Sequence, residues 1–256
     1  MRELTIDQEN PLGPLEVNYW GDQKNQHTII FADGDGSDKN SAIGTFNLLH
    51  KKTTDTNILA FSYRKPQKND CYLCKSIEDL STLTTYAEQN FAPNKITIIA
   101  TSAGAYPTTY LAVSSVHNKS IDKIMYLDPA DYLIHSDDDH SFDMSWAGPE
   151  NYPIEKPTVA KLLNKIDTDI KIDVVNFMLR NRDIDGYVPF EKRHLDHPDK
   201  FARLNNDMVK AFYENTPEKN RGNYIEDHQL PHAFERDGDL EKNRERIVEL
   251  ILTCLE

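Results

Sequence analysis

An α/β fold with a mostly parallel central sheet flanked by helices is what this chain of 256 residues predicts. Two observations point there. Short apolar, β-branched runs alternate with longer segments of helical period, the pattern of parallel strands joined by crossover helices. A serine, Ser102, also stands between one such strand and one such helix, flanked by Ala100, Ala103 and Gly104. Small residues are needed there because the turn brings the strand and helix backbones close and holds the serine in a strained conformation. With 38% hydrophobic residues over this length, the chain can bury one sizeable core, so residues 1–256 read as a single domain.

In chain order, residues 15–18 and 27–31 are strands, carried by Leu15 and Val17 and then by Thr28, Ile29, Ile30 and Phe31. No helix separates them, so they are expected to form an antiparallel edge. Residues 41–51 follow as a helix, then 57–61 as a strand and 77–89 as a helix. Strand 95–100 (Ile96, Ile98, Ile99) leads through Ser102 into helix 105–116. Pro107 falls early in that helix, where it is tolerated if the helix starts near Gly104, because the first amides have no intrahelical partner. Strand 123–127 comes next. Residues 129–168 break the alternation, with Trp146, Gly148, Pro149, Pro153 and Pro157 and no clear strand, and read either as an inserted cap or flap, with Phe142, Met144 and Trp146 available to cover a pocket, or as an ordinary surface excursion. A helix at 158–166, a strand at 172–178 (Ile172, Val174, Val175), a helix at 198–214, a strand at 223–226 and an amphipathic helix at 240–255 complete the chain.

Charge and cysteine usage exclude several functions. A net charge of −13 repels phosphate backbones and anionic lipid, and no basic stripe interleaved with aromatics offsets it, so nucleic acid is not an expected partner. No apolar run approaches membrane-spanning length and residues 1–7 lack the apolar core of a signal peptide, so the expected compartment is the cytoplasm. Cys71, Cys74 and Cys254 make no disulfide framework, and the Cys71-x-x-Cys74 pair lacks the second ligand pair of a zinc site. Asp137-Asp138-Asp139 lacks calcium-loop spacing and reads as a solvated turn. No metal or organic cofactor is expected.

A serine hydroxyl is a weak nucleophile at neutral pH and needs a histidine base held by a carboxylate. Downstream of strand 172–178 stand Asp183 and Asp185, and near the end of the chain His228 and His232. Acyl transfer also needs amides aimed at the developing oxyanion: Ala103 follows the serine, and Asp33-Gly34-Asp35-Gly36 leaves strand 27–31. That glycine-rich stretch has no lysine in a P-loop arrangement, so it serves either as a plain turn or as an oxyanion loop.

In this order of motifs the chain resembles the α/β-hydrolase superfamily, in its serine esterase and lipase-like branch. Members commonly carry the acid in a D-x-x-V-P context, as in Asp185-Gly186-Tyr187-Val188-Pro189, and a late histidine followed by small and aromatic residues, as in His232-Ala233-Phe234. The resemblance implies Ser102 as nucleophile, Asp185 as acid and His232 as base, with the amides of Ala103 and Asp35 holding the oxyanion. Asp183 is the alternative acid, Asp128 the third choice, and His228 competes with His232. The 129–168 insertion then stands after the family's sixth strand. The implied activity is cleavage of a carboxylic ester or related acyl bond in a small-molecule substrate through an acyl-enzyme. The alternative is a catalytically silent member of the fold that binds a small molecule or protein partner, favoured by Ala100, Asp33 and Arg182 where the family often has glycine, histidine and glycine. Thr101 to Ala105 is also similar to the nucleophile segment of patatin-like lipases, which use serine and aspartate without the late histidine.

Overall fold

The apolar runs become the strands of one sheet: β1 (Arg2–Ile6), β2 (Leu15–Trp20), β3 (His27–Ala32), β4 (Thr56–Phe61), β5 (Lys95–Ser102), β6 (Ile121–Pro129), β7 (Lys171–Leu179) and β8 (Arg221–Pro231). The computed structural model describes residues 1–7, 9–34, 38–64, 72–91, 93, 95–114, 120–130, 159–179, 206–231, 234–235 and 238–255. Across the sheet the order is β1-β2-β4-β3-β5-β6-β7-β8. The strands from β4 to β8 in that order run parallel, while β2 runs antiparallel to both β1 and β4.

Among the described residues the helices are α1 (Ile43–Lys52), α2 (Tyr72–Phe91), α3 (Ala105–Val113), α4 (Val159–Leu162), α5 (Asn206–Asn215) and α6 (Leu240–Leu255). They cover both faces of the sheet, because successive side chains of a strand point to opposite sides. Ile30, Ile98, Ile124 and Val174 join Leu83, Tyr106 and Phe212 in one core, whereas their neighbours Ile29, Ile99, Met125 and Val175 join Phe46, Ile247 and Ile251 in the other. Burial on both faces explains why the central strands read as continuous apolar runs rather than as alternation. No helix among the described residues is long and apolar enough to cross a membrane.

The expected edge is corrected. β2 does not pair with β3; it lies between β1 and β4, with Val17 opposite Phe61, and β3 is an interior strand between β4 and β5. Thr28 to Ala32 are all buried, which suits the middle of a sheet and not its margin. The true edge, β1, carries Arg2 and Glu3 and buries only Ile6, so five residues of mixed polarity gave no strand signal. From Val159 onward the 129–168 excursion belongs to the packed interior, with Val159, Ala160, Leu163 and Ile166 in the core that holds Tyr106. Residues 131–158, the expected cover with its Asp137, Asp138 and Asp139, lie outside the described residues, as does Cys71. Cys254 is buried in α6, and burial pushes its thiol up to about 12.

Candidate active site

The carboxyl end of β5 turns into α3 through Ser102, Ala103 and Gly104, and the turn closes when the Gly104 amide donates to the Thr101 carbonyl at 2.8 Å. Ser102, half-buried, adopts φ = +45°. For a residue with a Cβ this left-handed conformation costs roughly 1–3 kcal/mol and persists only where the surroundings impose it. The neighbouring residues do so. A methyl group on Gly104 would stand 2.1 Å from the Ala32 carbonyl oxygen, so only glycine lets the start of α3 lie against the end of β3. Ala100, where the family pattern has glycine, is fully buried between Ala32 and Tyr126, and its methyl is accommodated. Pro107 is the third residue of α3, among the amides that lack an intrahelical partner, as expected. Because the obstruction at Gly104 is backbone, Gly104→Ala is expected to lower unfolding free energy by about 3 kcal/mol, the upper end for overpacking, read from urea denaturation.

Gly34 brings the loop after β3 onto the same serine. A Cβ there would lie 2.9 Å from Ser102 Cβ, 3.4 Å from its Oγ and 3.7 Å from the Ala103 amide nitrogen. Asp33 fixes the approach: its Oδ1 accepts from Thr101 Oγ1 at 2.6 Å and from the Gly34 amide at 2.7 Å. A Gly34 amide turned onto this carboxylate does not face the serine, so any oxyanion donor from the loop must come from a later residue. Asp35 lies outside the described residues. The Thr101–Asp33 bond has no local signature in the sequence, since the partners stand 68 residues apart.

One strand over, β6 ends at Asp128 and Pro129, and Pro129 is in register with Ser102. The Ala130 amide donates to the Ser102 carbonyl at 3.0 Å. Asp128 is the second left-handed residue on this edge, φ = +46°, and is fully buried, its Oδ1 accepting from the Phe177 amide at 3.3 Å. Two non-glycine residues in this conformation thus lie on adjacent strand ends, the kind of clustering common at functional sites.

Asp183, Asp185 and His232 lie outside the described residues, but their chain entries do not. β7 ends at Leu179, which is in register with Pro231, the last residue of β8 and the one before His232. The segments carrying the expected acid and base therefore leave the sheet side by side, on the same carboxyl edge as Ser102. His228 is exposed on β8. His27 sits at the opposite, amino end of β3, bonded to Thr97, where burial lowers its pKa.

No family model matches the sequence, and no curated relative does either. Solved structures do. Est1E from Butyrivibrio proteoclasticus superposes with a TM-score of 0.60 over 100% of this chain and 99% of its own, at 16% identity. An esterase, Pf2001, from Pyrococcus furiosus gives a TM-score of 0.58, covering 100% and 93% at 17% identity. An α/β serine hydrolase homologue from Coxiella burnetii gives 0.57, covering 100% and 97%, also at 17% identity. The chain has the α/β-hydrolase fold.

On that α/β-hydrolase sheet, Ser102, Ala103, Gly34 and Asp128 come together at the carboxyl edge, where open α/β sheets bind ligands. Among the described residues no three His, Cys, Asp or Glu side chains gather as a metal would require. The edge instead offers a half-buried serine held out of regular strand geometry, with Gly34 of the loop after β3 close against it.

Proposed function

We propose that the protein is a serine hydrolase that cleaves a carboxylic ester of a small-molecule acyl substrate through an acyl-enzyme. The observation that carries the reading is the φ of +45° at Ser102, at a strand-to-helix turn crossed by Gly34. Ser102 Oγ attacks the acyl carbon, and His232 takes the hydroxyl proton and returns it to the leaving alkoxide. Asp185 orients the resulting imidazolium, and the amides of Ala103 and Asp35 hold the oxyanion. Water, activated by the same histidine, releases the acid. The fold of the esterases named above supports the class of reaction.

Incubation with a fluorophosphonate tests this directly. Stoichiometric modification located at Ser102 by peptide mass, with turnover of short p-nitrophenyl acyl esters, supports the reading. A wild type that neither labels nor turns over overturns it in favour of a catalytically silent member of the fold that binds a ligand or partner.

The acid is decided by three single variants assayed together. Asp185→Asn is expected to lower kcat by ~10³–10⁴-fold, because the histidine then takes the wrong tautomer. Asp183→Asn and Asp128→Asn are expected to lose no more than about 10²-fold, the size of an indirect misplacement at a group that does not react. A large loss confined to Asp128→Asn would move the acid to the end of β6.

A further inference from the structure

We propose that the carboxylate of Glu235 is a positioning group for this site, tying the segment that carries His232 to the start of α1. The inference rests on the reading of Ser102 and His232 as nucleophile and base. It is carried by the cross-links on either side of His232.

Helix α1 begins where the loop that crosses Ser102 at Gly34 ends, and it has no cap of its own. Ala42 at its N-cap makes no side-chain bond, and its first turn holds no acidic residue. Glu235, 190 residues away, supplies both: one carboxylate oxygen accepts from the Thr45 amide at 3.1 Å and from the Thr45 hydroxyl. An anion at this end of a helix satisfies amides that lack intrahelical partners and complements the helix dipole. The other carboxylate oxygen accepts from Arg244 Nε at 2.9 Å. Arg244 in turn lies across Gly44, where a Cβ would meet its guanidinium at 2.3 Å, so glycine at 44 makes room for the link. The Glu235 side chain is only 10% exposed, as a bond holding two elements at fixed separation requires.

α6 grips the same segment at two further points, and β7 at one. Asn243 Nδ2 donates to the Phe234 carbonyl at 2.8 Å, and Phe234 packs edge-on against Phe177 of β7, with ring centroids 6.1 Å apart. Upstream of His232, Asp227 accepts from the Gln229 and Leu230 amides, both at 2.9 Å, and from Arg246 Nε at 2.7 Å. His232 thus sits between two anchored stretches, 227–231 and 234–235. Among the described residues, Glu235 makes the hydrogen bonds from this segment to the start of α1, the helix that follows the stretch carrying Gly34. Displacement of a catalytic group by about 1 Å can cost on the order of 10²-fold in rate without disturbing substrate binding.

The test compares Glu235→Ala, Glu235→Gln and a stability control, Asp173→Asn, with wild type. Asp173 is buried toward the opposite end of the sheet, paired with Lys123 at 3.4 Å, and touches nothing in the site. Each protein is assayed for kcat, KM and the pH dependence of kcat/KM on a p-nitrophenyl ester, at a temperature where circular dichroism shows it folded. Glu235→Ala should lose about 10- to 10²-fold in kcat with KM within threefold, and the acidic limb of its pH profile should move. Glu235→Gln, whose amide oxygen still accepts from Thr45, should recover most of the rate, and the control should lose melting temperature with kcat unchanged. If Glu235→Ala melts lower but keeps kcat and pH profile, or if the control loses as much rate, the positioning role is overturned and the hydrolase reading stands. Should Glu235→Ala fail to fold, Arg244→Gln, which removes the Arg244 bond to Glu235, stands in for it, and a wild-type kcat and pH profile in that variant overturns the role equally. A wild type inert to both ester and fluorophosphonate removes the reading itself.

Discussion

Ser102→Ala is expected to lower kcat on a short acyl ester by at least ~10³-fold, and the double variant with His232→Ala by no more than the single one. The non-additivity is the sharper part of the expectation. If the serine and histidine act as one unit, removing either leaves only whatever the oxyanion donors and substrate binding supply, and the second substitution has nothing left to remove. Independent losses that multiplied would show that His232 contributes by another route, such as substrate binding. KM should stay near the wild-type value in both single variants, because neither side chain holds ground-state substrate. The decisive comparison is single-turnover release of p-nitrophenol by all four proteins. A patatin-like arrangement, with serine and aspartate alone, predicts instead that His232→Ala retains activity.

What the sequence revealed of this site was local. Ser102 stood out because its environment is written within five residues: an apolar run, then small residues, then a helix. The buried methyl of Ala100 shows why the departure from glycine there does no harm, whereas Gly104, under the Ala32 carbonyl, admits no substitute. Gly34 was visible as part of a glycine-rich turn, but not its closeness to Ser102 Oγ. That proximity depends on β3 and β5 being neighbours in the sheet. The same limit applies to Thr101–Asp33 and Thr45–Glu235, whose partners are 68 and 190 residues apart and have no periodicity to betray them. The error at the edge had the same origin. Adjacency along the chain suggested β2 with β3, but β3 is apolar on both faces and is driven to the interior, leaving the polar β1 to close the sheet.

Arg64→Met carries the largest expected effect on stability, about 3–5 kcal/mol at pH 7, because it strands a buried carboxylate. Arg64 follows β4, and its side chain is 2% exposed. Its Nε donates to Asp79 Oδ1 at 2.6 Å and its backbone amide to Asp79 Oδ2 at 2.7 Å, while Nη1 reaches Asp7 at 2.7 Å. The pair thereby pins α2 against the ends of β4 and β1. Burial already pushes the Asp79 carboxyl above its ordinary value, against the pull of the bonds from Arg64. Without the guanidinium that upward push is opposed by the backbone bond alone. A carboxyl whose folded pKa exceeds its unfolded one, near 4, holds its proton more tightly when folded, so the deficit is smallest below pH 4 and grows as pH rises through the folded value. Urea denaturation of wild type and variant should therefore show the full gap at pH 7 and a narrower one at pH 4.5. Asp7, held below its ordinary value chiefly by its bond to Arg64, adds to the gap in the same direction, since the stability that bond contributes is lost as pH falls, but Asp7 is more exposed and solvent limits its share. Removing both charges while keeping an acceptor for the backbone amide of residue 64, Arg64→Met with Asp79→Asn, should recover most of the loss, since the uncompensated charge is what makes half of a buried ion pair costly. A gap that persists unchanged at pH 4.5 and in the double variant would locate the cost in the packing of the Arg64 stem rather than in the charge left behind.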